Sequence, residues 1–521
     1  MFWVSFVSDL STDMGILAKD AFRTMVLSYV GTAIGYLNKG VLFIIVLTTE
    51  QIGLVNVLIS LGLLFAQLSS LGTSNAVIRF FPYFRDEKKN HRGFLQLMLL
   101  IAFVGMVFIS IMAFLFYPFV VDLYSEKSPL LLGYIALVFP VGASLLLFTL
   151  LENYLRGIFV NVISVFLRDV VLRLLTTIAL ILFGFGWIGF EAFVIFVVAS
   201  YIVPVVFLVL YIRRKGEMNR WLTPIQIPRR FKKIIVNFSL FNYVNTLTAV
   251  GITTMDAMMI AAFLGLDETG VYTTIIFLAS ALQVPYRSLV RIAISYIPLY
   301  WKDKNMTSMS KLYKDTSSIA LLFALSAFLI VWVNRIELFS FLPHSFSDGI
   351  WVFLFIMIGR IVDMFFSLNG NILSYSKKYR VDILFTGSLL IVVFWLNYIL
   401  IPNYGIVGAS ISTGLAFVLF NTARMLYVWS VFKLNPFQKN QFWMLLIGGI
   451  TVLITHYTPS IFDNAVLSIF QNVLEISVLF VVPVLYFKLE LKVNDYLLYL
   501  VKKIRKYIVF SEGFRQQSSP N

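Results

Sequence analysis

Long apolar runs, separated by short polar corners, fill almost the whole chain. A helix that crosses a bilayer needs about 20 mainly apolar residues, and about fourteen segments of that kind can be traced. They lie near 24–47, 52–78, 94–117, 129–150, 164–184, 187–212, 237–263, 269–298, 315–334, 350–374, 381–400, 404–430, 442–458 and 466–487. The pattern predicts an all-α polytopic membrane protein. Several spans are not uniformly apolar. Polar side chains recur every three or four residues, the period of one helical face. Such stripes are Ser28, Thr32, Gly35 and Lys39; Asn56, Ser60, Gln67 and Ser74; and Asn242, Asn245, Thr253 and Asp256. Others are Thr273, Ser280, Arg287 and Arg291; Arg360, Asp363, Ser367 and Asn371; and Ser410, Thr413, Asn421 and Arg424. A charge at bilayer depth costs about 2.5–3.5 kcal/mol even on the lenient insertion scale. These faces are therefore expected to turn toward other helices or a wet cavity.

The loops give an orientation. "RFFPYFRDEKKNHRG", "RRKGEMNRWLTPIQIPRRFKK", "YWKDKNMTSMSKLYKD", "SKKYR" and "KLNPFQKNQ" are rich in Lys and Arg. The alternating corners "TTEQ", "PFVVDLYSEKS", "GLDE", "NRIELFSFLPHSFSDG", "PNY" and "TPSIFDN" hold only Lys127 and Arg335 between them. The positive-inside rule puts the first set, and both termini, in the cytoplasm. Beyond Lys488, "YLLYLVKKIRKYIVF" sets Leu497, Val501, Ile504 and Ile508 on one helical face and Lys502, Lys503, Arg505 and Lys506 elsewhere. That is the pattern of an interfacial amphipathic helix drawn to anionic lipid. The opening "MFWVSFVSDLSTDM" lacks the basic start of a cleavable signal peptide.

The interval from Gly53 to Gly270 recurs from Lys39 to Asp256 and from Glu50 to Asp267. "GWIG" at Gly186–Gly189 and "GIVG" at Gly405–Gly408 repeat it to within a residue or two, as do Asn153 and Asn371. A nearly constant interval predicts two homologous halves. Each holds six spans, an even number, so both enter the membrane with the same orientation, a parallel repeat of the kind transporters use. The expected organisation is an N-terminal segment 1–23, an N-lobe 24–212, a basic cytoplasmic linker 213–236, a C-lobe 237–430, two further spans in 442–487 and a basic tail 488–521. The fold is thus expected to be two pseudo-symmetric six-helix lobes plus two C-terminal helices.

Composition narrows the class. Of 521 residues 60% are hydrophobic and only 13% charged, with a mean hydropathy of +0.88. That is more apolar surface than a soluble fold of this size can hide. Cys is absent, which excludes disulfides, thiol chemistry and Cys-ligated metal. The three histidines, His91, His344 and His456, are far apart, and no metal site is expected. No Gly-rich phosphate loop ending in Lys-Ser or Lys-Thr is present, and no cofactor is expected. The net charge of +15 is read as cytoplasmic loop charge rather than as a nucleic-acid surface.

The candidates for a substrate-binding central cavity are Lys39, Asp256, Arg287, Arg291, Arg360 and Asp363. Asn56, Gln67, Arg79, Asn242, Asn371 and Arg424 are secondary candidates. Each charge also has a structural reading. Arg79, Arg156 and Arg424 lie near cytoplasmic ends, where a long side chain snorkels to water. Arg360 and Asp363, three residues apart, are placed to satisfy each other. Lys39 and Asp256 are read as an interlobe ion pair, a substrate contact, or both. Pro285 is expected to kink its span by removing a backbone hydrogen bond.

Three stretches carry a family resemblance: "EQIGLVNVLISLGLLFAQLSSLGTSNAVIRFFPYF", "DAMMIAAFLGLDETGVYTTIIFLASAL" and "NYGIVGASISTGLA". They resemble the second, the seventh and eighth, and the twelfth spans of bacterial polysaccharide flippases, the O-antigen and capsule exporters. The resemblance covers residues 15–490. Its motifs are hydropathy patterns, specific for the superfamily rather than for a substrate. It implies twelve to fourteen helices in two lobes, and alternating-access movement of an isoprenoid-diphosphate-linked oligosaccharide across the bacterial inner membrane. A cationic cavity would hold the diphosphate, and Lys39, Arg287, Arg291 and Arg360 outnumber Asp256 and Asp363. Anionic membrane lipids are expected partners through the tail. A coupling ion, H+ or Na+, and polysaccharide polymerase machinery stay open as further partners; no nucleic acid is expected. Two other classes stay open. One is a cation-coupled multidrug exporter of the same superfamily, which favours an acidic cavity. The other is a membrane polysaccharide polymerase or ligase, which needs a long external loop where this chain has short ones. The protein is expected not to be an enzyme.

Overall fold

The structure, a computed structural model, describes residues 16–84, 93–158, 160–215, 229–491 and 493–494. Among them every regular element is helical. Ten helices are long and apolar enough to cross a membrane, or eleven when Leu266–Ala281 and Val284–Lys302 are taken as one span. The expected count of fourteen is not reached, and three places account for the difference. Tyr379–Phe432, one of the ten, is two helices joined across a kink at Gly405 (φ 60°, ψ −145°), between the expected spans 381–400 and 404–430. Residues 162–184 are helical but carry Arg168, Asp169 and Arg173 around a π-helical turn, Phe166–Val171. Lys439–Tyr457 is helical but polar at both ends.

Backbone contacts divide the chain into two compact units, Met1–Leu278 with Thr386–Ser412, and Ala279–Phe385 with Thr413–Asn521. All three divisions fall inside helices. In the first unit the helix Thr49–Ser70 is central, packing on Val138–Gly157 and Arg229–Phe263. Its start is set by a capping box: the Thr48 hydroxyl accepts from the Gln51 N–H, and the Gln51 side chain accepts from the Thr48 N–H. It ends where Leu71 (φ 46°) and Gly72 (φ 79°) turn left-handed. Ile52, Leu54, Val57 and Phe65 are buried in an apolar core. The linker expected at 213–236 is partly helical, because the helix Arg229–Phe263 begins inside it.

In the second unit Met306–Val333 buries Leu321, Leu325 and Leu329 against Met444, Phe480 and Val484. The expected span 350–374 is two helices, Gly349–Phe366 and Asn369–Ser374, parted at Ser367 (φ 41°). The expected span 269–298 is bent by 56° at a break between Leu266–Ala281 and Val284–Lys302, and Pro285 stands just after the break in the first turn of Val284–Ile294, where its missing N–H would have had no partner. Large apolar side chains such as Phe103, Phe114, Trp395 and Leu453 are exposed, as helices in contact with lipid require. From residue 495 onward the expected amphipathic tail lies outside the described residues.

Candidate functional site

In the first unit, Gly53 of Thr49–Ser70 faces Gly270 of Leu266–Ala281. A Cβ on Gly53 would overlap the carbonyl oxygen of Leu266 and lie 3.1 Å from the backbone N of Gly270. A Cβ on Gly270 would overlap the carbonyl oxygen of Thr49 and lie 3.1 Å from the backbone N of Gly53. Only glycine lets two helix backbones come this close. Two side-chain bonds flank the contact. Thr49 Oγ1 donates to Asp267 Oδ1 at 2.6 Å, and Asn56 Nδ2 donates to Thr273 Oγ1 at 3.1 Å. Asn56 and Thr273 are 217 residues apart, the same interval that separates Gly53 from Gly270 and Thr49 from Leu266. The contacts therefore join residues separated by the interval seen in the sequence.

Lys39 sits in a π-helical turn, Asn38–Leu42. Its Nζ donates to Asn56 Oδ1 at 2.9 Å and lies 5.7 Å from the centroid of the Phe277 ring. Among the described residues no carboxylate lies within ion-pair distance of it. Asp256 is buried; its Oδ2 accepts from the Tyr272 hydroxyl at 2.6 Å and its Oδ1 from Asn397 Nδ2 at 2.7 Å. The ion pair between Lys39 and Asp256 does not form. Lys39 rests on Asn56, and the partners of Asp256 include Tyr272 and Asn397. The two sets meet in sequence, since Thr273, bonded to Asn56, follows Tyr272, bonded to Asp256.

A second polar cluster in this unit joins 16–46 to 162–184. Ser28 donates to Asp169 Oδ2 at 2.8 Å. Arg173 donates to the carbonyl of Gly31, and its guanidinium would collide with a Cβ on Gly35. Asn38 Nδ2 donates to the Arg173 carbonyl at 2.8 Å and accepts from Thr177 at 2.8 Å. Arg168 Nη1 reaches both oxygens of buried Glu152 at 2.8 Å, and Arg156 reaches one at 2.8 Å. Arg156 thus pairs while its side chain stays exposed. Sequence reasoning missed Arg168, Asp169 and Arg173. The available signal was "FLRDVVLRLL", three charges inside an expected span, which at that depth must face other helices. Both clusters use π turns, a distortion frequent at functional positions.

The remaining candidates are placed as follows. In the first unit, Gln67 donates to Thr246 Oγ1 at 2.7 Å. Arg79 is exposed, with its guanidinium 4.3 Å from the Phe238 ring centroid, a cation–π geometry. The Asn242 side chain lies outside the described residues. In the second unit, Arg360 stacks over Phe417 at 4.5 Å, and Asp363 Oδ1 accepts from Asn421 Nδ2 at 3.1 Å. Arg424 does not snorkel: it pairs with Asp382 at 3.0 Å, which also accepts from Ser374. Arg287 and Arg291 are exposed on Val284–Ile294, and Arg287 donates to Gln283 Oε1 at 3.2 Å. Asn371 is half-buried in Asn369–Ser374. Among the described residues no group of three or more side chains is placed to hold a metal ion.

A multi-pass helical membrane protein with polar groups gathered inside its spans shares its fold with membrane flippases and exporters. A structure titled lipid II flippase MurJ, inward closed conformation, matches 89% of this chain and 98% of its own, with a TM-score of 0.72 and 12% identity. An inward-facing multidrug resistance MATE family transporter of the MOP superfamily matches 78% and 97%, with a TM-score of 0.61 and 14% identity. A MOP superfamily transporter from Pyrococcus furiosus matches 85% and 98%, with a TM-score of 0.50 and 14% identity. Identities this low establish a common fold. The chain belongs to the Polysaccharide biosynthesis protein family, whose sequence model matches residues 17–299, more than half of it. No curated protein matches it in sequence.

Proposed function

We propose that the protein is a flippase that carries an isoprenoid-diphosphate-linked oligosaccharide across the bacterial inner membrane for surface polysaccharide synthesis. Family membership and the shared fold support this reading. The observation that carries it is Lys39, a cation within a membrane span whose contacts are an amide oxygen and the face of a ring. A diphosphate supplies the counter-charge that such a site lacks. Arg287 and Arg291, exposed one turn apart in the second unit, are the candidates for bidentate phosphate contact, which a guanidinium makes better than an ammonium. Asp256, bonded to Tyr272 and Asn397, is the carboxylate at which a coupling H+ or Na+ would act. The two lobes, 24–212 and 237–430, would alternate access, with both termini cytoplasmic.

The test is glycan export, normalised to membrane protein level, in Lys39→Ala, Lys39→Arg and Arg291→Ala. Export is expected to fall in the alanine variants at unchanged protein level, with partial recovery in Lys39→Arg. Normal export per molecule in Lys39→Ala would defeat the reading.

A further inference from the structure

Lys311, Lys314 and Lys433 line one groove of the second unit, about 640 Å3 in volume, together with Thr307, Ser310 and Gln438. Asp315 is the carboxylate of that lining, so positive charge predominates. Among the described residues none of the three lysines forms an ion pair. A second groove of about 690 Å3 shares Lys433 and is otherwise lined by Phe385, Leu426, Tyr427, Trp429 and Ser430. Lys433 thus stands where a cationic groove meets an apolar, aromatic one. Leu426 and Trp429 are 50% and 45% exposed, on a protein whose apolar surface is covered by lipid.

The backbone at this junction is unusual. Lys433 caps Tyr379–Phe432 in the left-handed conformation, φ 58°, with its N–H bonded to the Trp429 carbonyl. Glycine holds that conformation without strain, whereas a lysine there is strained. A strained residue that keeps a long cationic side chain points to a use for the side chain.

We propose that the two grooves together take one anionic glycerophospholipid. Its headgroup phosphate lies among Lys311, Lys314 and Lys433, and an acyl chain runs along Leu426, Tyr427 and Trp429. Basic pockets between helix ends are known to favour anionic headgroups, and Trp and Tyr favour the depth at which a headgroup gives way to its chains. The site is separate from the residues assigned to the flipped substrate and does not depend on that assignment.

The test uses the full-length protein in phosphatidylcholine nanodiscs. Brominated-acyl phosphatidylglycerol is added, and tryptophan quenching is compared with that from brominated phosphatidylcholine. Phosphatidylglycerol is expected to quench more strongly at equal mole fraction. The excess should vanish in Trp429→Phe. It should shift to about fivefold higher mole fraction for each lysine neutralised, in Lys311→Gln, Lys314→Gln and Lys433→Gln. Lys433→Gly relieves the backbone strain and removes only the side chain, and it should weaken the lipid as Lys433→Gln does. A charge-matched control, Lys377→Gln with Lys378→Gln and Lys439→Gln, should keep the full excess. Excess quenching that survives the lysine variants, or is lost equally in the control, overturns the proposal. Displacement by inorganic phosphate alone would make this a free-anion site, and preferential displacement by an isoprenyl diphosphate would make it a carrier-lipid site. Either result also overturns it.

Discussion

Gly53 and Gly270 touch backbone to backbone, and the contact reads the same from either side. Each glycine faces a carbonyl from the partner helix, Leu266 for one and Thr49 for the other. Gly53→Ala and Gly270→Ala should each force this contact apart and disturb the Thr49–Asp267 and Asn56–Thr273 bonds. Overpacking of this kind costs about 1–3 kcal/mol. Thermal unfolding in detergent should show a lower Tm for both variants. Gly133→Ala, where a Cβ meets nothing within 4 Å, should leave Tm unchanged. Three equal melting points would show that the helices have room to spare.

Lys39 and Asp256 should respond differently to neutralisation. Lys39→Ala orphans no carboxylate, so membrane protein level should stay near wild type. Asp256→Ala leaves the Tyr272 hydroxyl and the Asn397 amide without their acceptor, at about 1–3 kcal/mol each, and its level should drop. Because the two charges have separate partners, exchanging them (Lys39→Asp with Asp256→Lys) should not restore that level. Recovery in the exchanged protein would mean that the charges pair after all.

Glu152 receives two guanidiniums, Arg156 and Arg168. Glu152→Gln removes the charge both of them share, while Arg156→Ala leaves Arg168 in place. The stability loss should therefore be larger for Glu152→Gln than for Arg156→Ala, as read by Tm. The reverse order would place the weight of the cluster elsewhere.

Arg424 and Asp382 are 18% and 15% exposed and 3.0 Å apart. A double-mutant cycle with Arg424→Ala and Asp382→Ala should return a coupling of about 1–3 kcal/mol, below the figure for a fully buried pair because water still reaches both. Additive effects would reduce the bridge to a contact of no energetic weight.

Orientation is testable by reporter fusion. Fusions at Asp348 and Asp463 should report the outer side, and fusions at Lys378 and Lys439 the cytoplasm. A cytoplasmic signal at Asp348 would break the alternation of basic and non-basic loops.

Much of the fold was legible because a bilayer constrains each span separately. Every spanning segment must be apolar, long and internally hydrogen-bonded, so the helices, the membrane class and the interval between Gly53 and Gly270 can be read one segment at a time. Helical periodicity likewise showed which residues share a face, and it singled out Lys39, Asn56 and Asp256 correctly as polar positions within spans. It does not say which neighbour that face meets. The acceptor of Lys39 is 17 residues away and the amide donor to Asp256 is 141 away, and no local pattern links either pair. Nor does local pattern show that the bend expected near Pro285 is a break between two helices, the second of which the proline begins. Those outcomes depend on which backbones can approach. Gly31, Gly53 and Gly270 decide that through the side chains they lack, and the effect exists only once two distant helices have been brought together.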